Sequence, residues 1–175
     1  MDQPLISLYL LILLVLLGVT AWFVLRQILK TRRVENSLSR LQNKLSEIQG
    51  TTQEYFEVGS ILLTKKLYSQ AVKQFQLALK AAEKEQEENT APIYNALGYA
   101  YFAQAQYDLA IRQYKEAVKQ NPDYVTAYNN MGHAYEKKNL TQQALEAYET
   151  ALSRDAKNAT AKKRSESLRK RLVVT

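Results

Sequence analysis

The chain of 175 residues has no cysteine and a single histidine. Without cysteine, disulfides and thiolate metal sites are excluded. The lone His133 cannot build a metal site or a catalytic triad without partners at suitable spacing, and the sequence contains no such set. A glycine-rich phosphate loop is absent as well. We therefore predict no enzyme activity, no cofactor and no bound metal.

The net charge of +7 is concentrated in two flanks. Residues 26–44 carry a net charge of +5 and residues 157–175 a net charge of +6, so the rest of the chain is acidic. A basic chain often binds nucleic acid, but no recognition motif accompanies these flanks. The sequence thus predicts no nucleic-acid partner.

One long apolar run lies near the N-terminus. The 22 residues from Pro4 to Leu25 carry no charge and would span roughly 30 Å as a helix, the thickness of a bilayer core. Trp22 and Phe23 stand near its end, where interfacial aromatics are common. A cleaved signal peptide would have positive charge before a shorter run, whereas only Asp2 is charged there. We expect a retained single-pass helix over 4–25, in contact with membrane lipid.

Four basic residues follow this run directly, namely Arg26, Lys30, Arg32 and Arg33. Because positive charge favours the cytoplasmic side, the rest of the chain is predicted to lie on the cytoplasmic or stromal side. The same residues could also bind anionic headgroups, at about 1 kcal/mol each. The topology signal alone is the interpretation that we favour.

Residues 26–50 are predicted to form a basic helical connector. A short heptad pattern runs along it, with members Val34, Leu38, Leu41, Leu45 and Ile48. Two heptads are too few for a coiled coil, so three interpretations stay open: a helix docked on the next element, a weak dimer seam, or an amphipathic helix at the membrane. The first is favoured, and the oligomeric state is undetermined. Gly50 is expected to end the connector, and Thr51 or Thr52 to cap the next helix.

A pattern of aromatic and small residues recurs three times in the remaining chain. Its middle copy consists of Tyr94, Leu97, Gly98, Tyr101, Ala110, Tyr114 and Ala117. The copy thirty-four residues later consists of Tyr128, Met131, Gly132, Tyr135, Ala144, Tyr148 and Ala151. The copy thirty-nine residues earlier consists of Tyr55, Val58, Gly59, Leu62, Ala71, Phe75 and Ala78. A period near thirty-four residues predicts stacked supersecondary units, which usually bind other proteins.

Each copy is expected to form two helices that cross closely. Small residues such as Gly98 and Ala110 let the backbones approach, and the aromatic residues fill the space on either side. Pro122 should end the second helix of the middle copy, whereas Ala156 in the third copy should let that helix run on. Five extra residues within 83–90 should lengthen the second helix of the first copy and its turn.

These copies, completed by Pro122, resemble the tetratricopeptide repeat at its signature positions. The resemblance implies an all-α fold, in which a transmembrane helix and a short helical connector precede a right-handed superhelix of three repeats. The repeats would occupy 52–85, 91–124 and 125–158. Residues 159–175 are then expected to form a C-terminal capping helix and basic tail.

The resemblance also implies a concave surface lined by the first helix of each repeat. The predicted partner-binding residues on it are Phe56, Ser60, Asn95, Tyr99, Phe102, Asn129, Asn130 and His133. Asparagine can hydrogen-bond a partner's backbone, and aromatic side chains can anchor it. In the alternative interpretation, Tyr99 and Phe102 belong to the packing of the repeats.

Repeats of this class that hold the C-terminal carboxylates of heat-shock chaperones use basic residues at fixed positions. The corresponding positions here hold Gln53, Glu57, Ala96, Thr126 and Asn130, none of which is basic. The sequence therefore disfavours a chaperone-tail adaptor.

The amino-acid sequence of residues 91–172 resembles the membrane-anchored tetratricopeptide-repeat photosystem I assembly proteins of cyanobacteria and plastids. The closest stretches are APIYNALGYAYFAQAQYDLAIRQYKEAV and NPDYVTAYNNMGHAYEKKNLTQQALEAYETAL. The resemblance implies a non-enzymatic scaffold of the thylakoid membrane that contacts photosystem I subunits or other assembly factors. The alternative is a generic bacterial membrane-anchored tetratricopeptide adaptor for another envelope or membrane complex.

Overall fold

The structure, a computed structural model, describes residues 3–47 and 50–174. Within these ranges it consists of eight α-helices and contains no strand, which confirms the predicted all-α fold. The helices are α1 Gln3–Glu47, α2 Thr52–Thr64, α3 Tyr68–Glu85, α4 Ala91–Ala103, α5 Tyr107–Gln120, α6 Val125–Lys137, α7 Thr141–Arg154 and α8 Ala159–Val174. The chain divides into two compact units, residues 1–47 and residues 48–175.

The first unit is a single helix, α1, of 45 residues. The predicted span and the predicted connector are thus continuous, because neither proline nor glycine interrupts residues 19–47. The segment Leu11–Leu29 is long and apolar enough to cross a membrane and is fully exposed within the unit. At its end the Arg26 guanidinium lies 5.4 Å from the centroid of the Trp22 ring.

The structure describes two side chains of the predicted basic cluster and heptad pattern beyond residue 30. Arg32 is exposed, and Leu38 is half-buried. The remaining predicted positions have helical backbone but side chains outside the described residues, namely Lys30, Arg33, Val34, Leu41 and Leu45. Ile48 lies outside the described residues altogether. The heptad seam therefore stays a prediction.

The second unit is built from helix pairs. The pairs α2–α3, α4–α5 and α6–α7 fall within the three predicted repeats, and α8 follows. Each helix contacts the next along the chain, and the first helices of successive repeats also contact each other, α2 with α4 and α4 with α6. The first helices therefore share one face of the unit.

Inside each repeat a glycine of the first helix lies directly against an aromatic ring of the second. The pairs are Gly59–Phe75, Gly98–Tyr114 and Gly132–Tyr148. A β-carbon on these glycines would lie 2.6, 2.6 and 2.8 Å from the nearest ring carbon, which is too close for any other residue without movement. The three aromatic residues are almost fully buried. The space that glycine leaves is thus occupied by the ring.

Neighbouring repeats are joined by side chains at equivalent positions. The Ser69 hydroxyl donates a hydrogen bond to Gln104 Oε1 at 2.9 Å, linking the first repeat to the second. One repeat later, at the same two positions, the Lys138 ammonium forms an ion pair with the Asp108 carboxylate. Both contacts hold the start of a second helix against the end of the next first helix.

The predicted lengthening of the first repeat is confirmed. Helix α3 has 18 residues, whereas α5 and α7 have 14 each. It ends at Glu85, and Gln86 adopts the left-handed conformation with φ of 55°. The predicted cap of α2 is also found, because Thr51 Oγ1 accepts a hydrogen bond from the Glu54 amide while the Glu54 carboxylate accepts one from the Thr51 amide.

The expectation that α7 runs on past the place of the missing proline is wrong. Helix α5 ends at Gln120, two residues before Pro122. Helix α7 ends at the equivalent Arg154, although Ala156 stands in place of the proline. The end of the helix therefore does not depend on the proline.

The two helices end instead at a polar residue, an asparagine after α5 and an aspartate after α7. Asn121 and Asp155 follow the helices in extended conformation, with φ of −136° and −138°. The Asn121 Oδ1 accepts a hydrogen bond from the Asp123 amide at 3.0 Å, and Asp155 Oδ1 accepts one from the Lys157 amide at 3.0 Å. Such turns compete with continued helix.

The helix α8 covers the last repeat. Ala161, Ser165 and Leu168 are buried along one face of α8, and Leu168 packs in the same cluster as Tyr148. Leu172, one turn further on, is exposed at 38%. The rest of α8 is largely exposed and basic, as a capping helix requires.

We predict that Gly98→Ala destabilises the repeats by about 1–3 kcal/mol, because the added methyl group would overlap the Tyr114 ring. Alanine is the better helix former, so a loss cannot arise from helix propensity. The measurement is urea unfolding of the full chain in detergent micelles, followed by circular dichroism. In the control Gly18→Ala, the new β-carbon has no described atom within 4 Å. Equal midpoints for wild type and Gly98→Ala would contradict the prediction.

Candidate partner-binding groove

The eight predicted partner-binding residues all lie on the first helices of the repeats. They are Phe56 and Ser60 on α2, Asn95, Tyr99 and Phe102 on α4, and Asn129, Asn130 and His133 on α6. We call the face that these residues occupy the groove face. Tyr99 is exposed, at 47%, and the other seven residues are half-buried.

Two asparagines link the second and third repeats on the groove face. The Asn130 Nδ2 donates a hydrogen bond to Asn95 Oδ1 at 2.9 Å. Asn95 also hydrogen-bonds the side chain of Tyr124. Burial raises the pKa of Tyr124, and this hydrogen bond partly offsets the rise. The two repeats thus share a polar network next to the surface where a partner would bind.

Aromatic rings form a second link between the same repeats. The centroid of the Phe102 ring lies 4.8 Å from that of the His133 ring and 5.4 Å from that of Tyr107. Phe102 also packs against the buried cluster around Tyr114. Phe102 therefore takes part in packing, as the alternative interpretation expects, whereas Tyr99 remains exposed.

The predicted residues of the first repeat, and Asn129 in the third, present fewer groups that are available to contact a partner. The Phe56 ring packs against the Phe75 ring, with 5.7 Å between centroids, and the Ser60 hydroxyl donates to the Phe56 carbonyl at 2.8 Å. The Asn129 Oδ1 atom is buried and has no hydrogen-bond partner in the part of the chain that the structure describes. The predicted residues of the first repeat are thus largely engaged within their own repeat.

The charged end of the groove face lies beside His133. Burial lowers the pKa of His133, the Arg164 and Lys137 charges lower it further, and Glu136 opposes them. The Arg164 guanidinium lies 3.6 Å from Glu136 Oε2, and the Tyr148 hydroxyl donates to Glu136 Oε1 at 2.7 Å. The lowered pKa favours the neutral imidazole of His133, which can accept a hydrogen bond as well as donate one.

Glu136 and Arg164 were not predicted as part of this face. The repeat period could have identified Glu136, since it stands thirty-four residues after Phe102. No comparable signal identifies Arg164, because it belongs to α8, outside the repeats. The capping helix thus contributes a charged side chain next to the groove face.

Comparisons with known proteins define the class. Residues 98–139 match the family described as TPR repeat, and residues 125–158 match the one described as tetratricopeptide repeat. The chain is therefore a tetratricopeptide-repeat protein. It is 36% identical over 166 residues to the ycf37 protein of Cyanophora paradoxa, covering 94% of this chain and 95% of that protein. The chain belongs to the ycf37 family.

A land-plant relative and two solved structures are similar as well. The chloroplastic tetratricopeptide repeat domain-containing protein PYG7 of Arabidopsis thaliana is 40% identical over 164 residues, covering 94% of this chain and 54% of that protein. The TPR domain of Arabidopsis OM64 has a TM-score of 0.64 at 24% identity, covering 69% of this chain and 96% of that one. The first TPR of RPAP3, bound to an HSP90 peptide, has a TM-score of 0.64 at 20% identity, covering 70% and 94%. These structures share the fold.

We predict that Arg164→Gln raises the pKa of His133, because it removes a nearby positive charge and leaves Glu136 without that neutralising partner. The measurement is a pH titration of the imidazole by nuclear magnetic resonance, with the full chain in detergent micelles. The control is Lys163→Gln, an exposed neighbour on α8 that is not among the groups acting on His133. An unchanged or lower pKa in Arg164→Gln would refute the electrostatic account of this end of the face.

Proposed function

We propose that the chain is a non-enzymatic, membrane-anchored scaffold that assists the assembly or stability of photosystem I. It would act through protein–protein contacts on the groove face. The observation that carries the binding role is the pair of links across the second and third repeats, Asn130 with Asn95 and His133 with Phe102. They support a face fixed before binding, so that little conformational entropy is lost when a partner docks.

The chemistry of this face suits a protein segment. Tyr99 offers a large exposed side chain, and tyrosine is frequent among residues that dominate binding energy. Asn95 and Asn130 supply amide groups next to it, which can exchange hydrogen bonds with a peptide backbone. The peptide-bound RPAP3 repeats support the use of this fold for binding segments, though not the identity of the segment.

The membrane anchor would be α1. Its apolar segment is long enough to cross a bilayer, and the basic residues after it favour the cytoplasmic or stromal side for the repeats. Tethering raises the effective concentration of the groove face near membrane subunits, so modest affinity suffices. The chloroplastic name of the Arabidopsis relative supports a photosynthetic membrane, which we propose to be the thylakoid.

The assignment to photosystem I rests on the resemblance of residues 91–172 to the assembly proteins named above. The partners would be photosystem I subunits or other assembly factors, held while the complex is incomplete. Nothing in this role requires a reaction, and the groove face presents amides and aromatic rings as binding groups.

The test is affinity capture from solubilised thylakoid membranes with the tagged full chain, followed by mass spectrometry. We predict that wild type retains photosystem I subunits or assembly factors, and that Tyr99→Ala retains about tenfold less because it removes an exposed anchor. The control is Leu109→Ala, which removes a comparably exposed apolar side chain from α5.

Absence of photosystem I components from the wild-type capture would contradict the proposal and favour the generic adaptor. Equal capture by wild type and Tyr99→Ala would contradict the proposal that partners bind on the groove face. Circular dichroism of both variants verifies that a lost partner does not reflect lost fold.

A further inference from the structure

A hollow of about 310 Å³ opens at one edge of the groove face, between the starts of α2 and α4. Its wall includes Phe56, which belongs to the groove face, and Thr52 at the start of α2. Glu85, Glu87 and Asn89 also line it. The hollow is therefore continuous with the surface proposed to bind a partner.

The extension of the first repeat builds this hollow. The longer α3 brings Glu85 to the start of α2, where its two carboxylate oxygens lie 3.1 and 3.3 Å from the Thr52 amide nitrogen. The following turn presents Glu87, whose Oε1 accepts a weak hydrogen bond of 3.4 Å from the Asn89 amide. Only the first repeat has this extension, so the other repeat junctions lack the same set of residues.

The charge of the hollow is negative. It contains two carboxylates, and none of its described lining residues is a lysine or arginine. The starts of α2 and α4 each contribute about half a positive charge. Together the two carboxylates and the two helix starts leave the hollow with a net charge of about −1, and Glu85 lies directly against the start of α2. A second anion would be repelled, and a cation would be attracted.

A buried polar atom points to a missing ligand. Thr52 is only 8% exposed, and its Oγ1 has no hydrogen-bond partner in the part of the chain that the structure describes. Buried hydroxyl groups nearly always have a partner. Because this oxygen is enclosed, a donor that enters the hollow would reach it only after a rotation of the Thr52 side chain, and the neighbouring Phe56 ring offers an aromatic wall of the kind that favours cationic groups.

We propose that this hollow binds a lysine or arginine side chain of the protein segment that docks on the groove face. The inference rests on the proposed function for the identity of that segment, and on Thr52, Glu85, Glu87 and Phe56 for its chemistry. The aliphatic part of the basic side chain would pack on Phe56, and its charged end would meet the carboxylates. The partner should therefore carry a basic residue at the end that lies over the first repeat.

The test uses the full chain in detergent micelles, labelled with ¹⁵N, and a blocked pentapeptide with alanine on both sides of a central arginine. A matched peptide carries citrulline, the neutral isostere of arginine. We expect the arginine peptide to shift the amide resonances of Thr52, Phe56 and Glu87 in a saturable manner, and the citrulline peptide to bind several-fold more weakly.

Two glutamine substitutions distinguish binding in the hollow from a general effect of the protein's charge on the peptide. Glu87→Gln should weaken binding of the arginine peptide about three- to tenfold, because it removes a carboxylate that lines the hollow. Glu88→Gln removes the same charge one residue away, at a side chain that does not line the hollow. It should leave the affinity nearly unchanged.

Equal binding of the two peptides, or equal losses from both substitutions, would overturn the proposal. So would saturable shifts with calcium chloride and none with the arginine peptide, because the hollow would then hold a metal ion. The capture experiment with Tyr99→Ala tests the groove separately. If Tyr99→Ala loses capture while Glu87→Gln has no effect on peptide binding, the hollow does not bind the basic side chain. The proposal that the groove face binds a partner would still stand.

Discussion

The approach of a glycine on one helix to an aromatic ring on the next sets the geometry of this protein. At Gly98, a β-carbon would fall 2.6 Å from the Tyr114 ring, so the two helices can hold their distance only while that position has no side chain. The same contact recurs in all three repeats. The rings are almost completely buried, which fixes each pair of helices. Contacts of α2 with α4 and of α4 with α6 then place these three helices on one face.

That face is neutral in its middle and charged at its ends. Asn95 and Asn130 join the second and third repeats through a hydrogen bond between uncharged groups. Carboxylates of the extended turn stand at one end, and the Glu136–Arg164 ion pair stands at the other. A partner of matching charge would be held in one direction along the repeats, which is how electrostatic complementarity gives specificity.

The regular part of the fold could be predicted from sequence because one period encodes it. Gly98 and Tyr114 recur in register, and Thr51 is followed by Glu54 at the spacing of a capping box. The end of α7 and the charged edge of the groove face were not predicted, the first because a local side-chain turn replaces the proline signal and the second because it depends on a contact between α6 and α8. Asp155 ends α7 without a proline, and no local pattern places Arg164 beside the groove face. The partner-binding residues remain predictions, because a repeat period determines a surface and leaves its ligand open.

The most direct test of this account is a distance measurement across the second repeat. The native chain has no cysteine, so spin labels at Lys73→Cys and Gln143→Cys, both exposed, would be the only ones attached. Double electron–electron resonance should give one narrow distribution of distances between α3 and α7, and Gly98→Ala should shift or broaden it. An unchanged narrow distribution in Gly98→Ala would show that the contact of glycine with the ring does not hold the repeats in register.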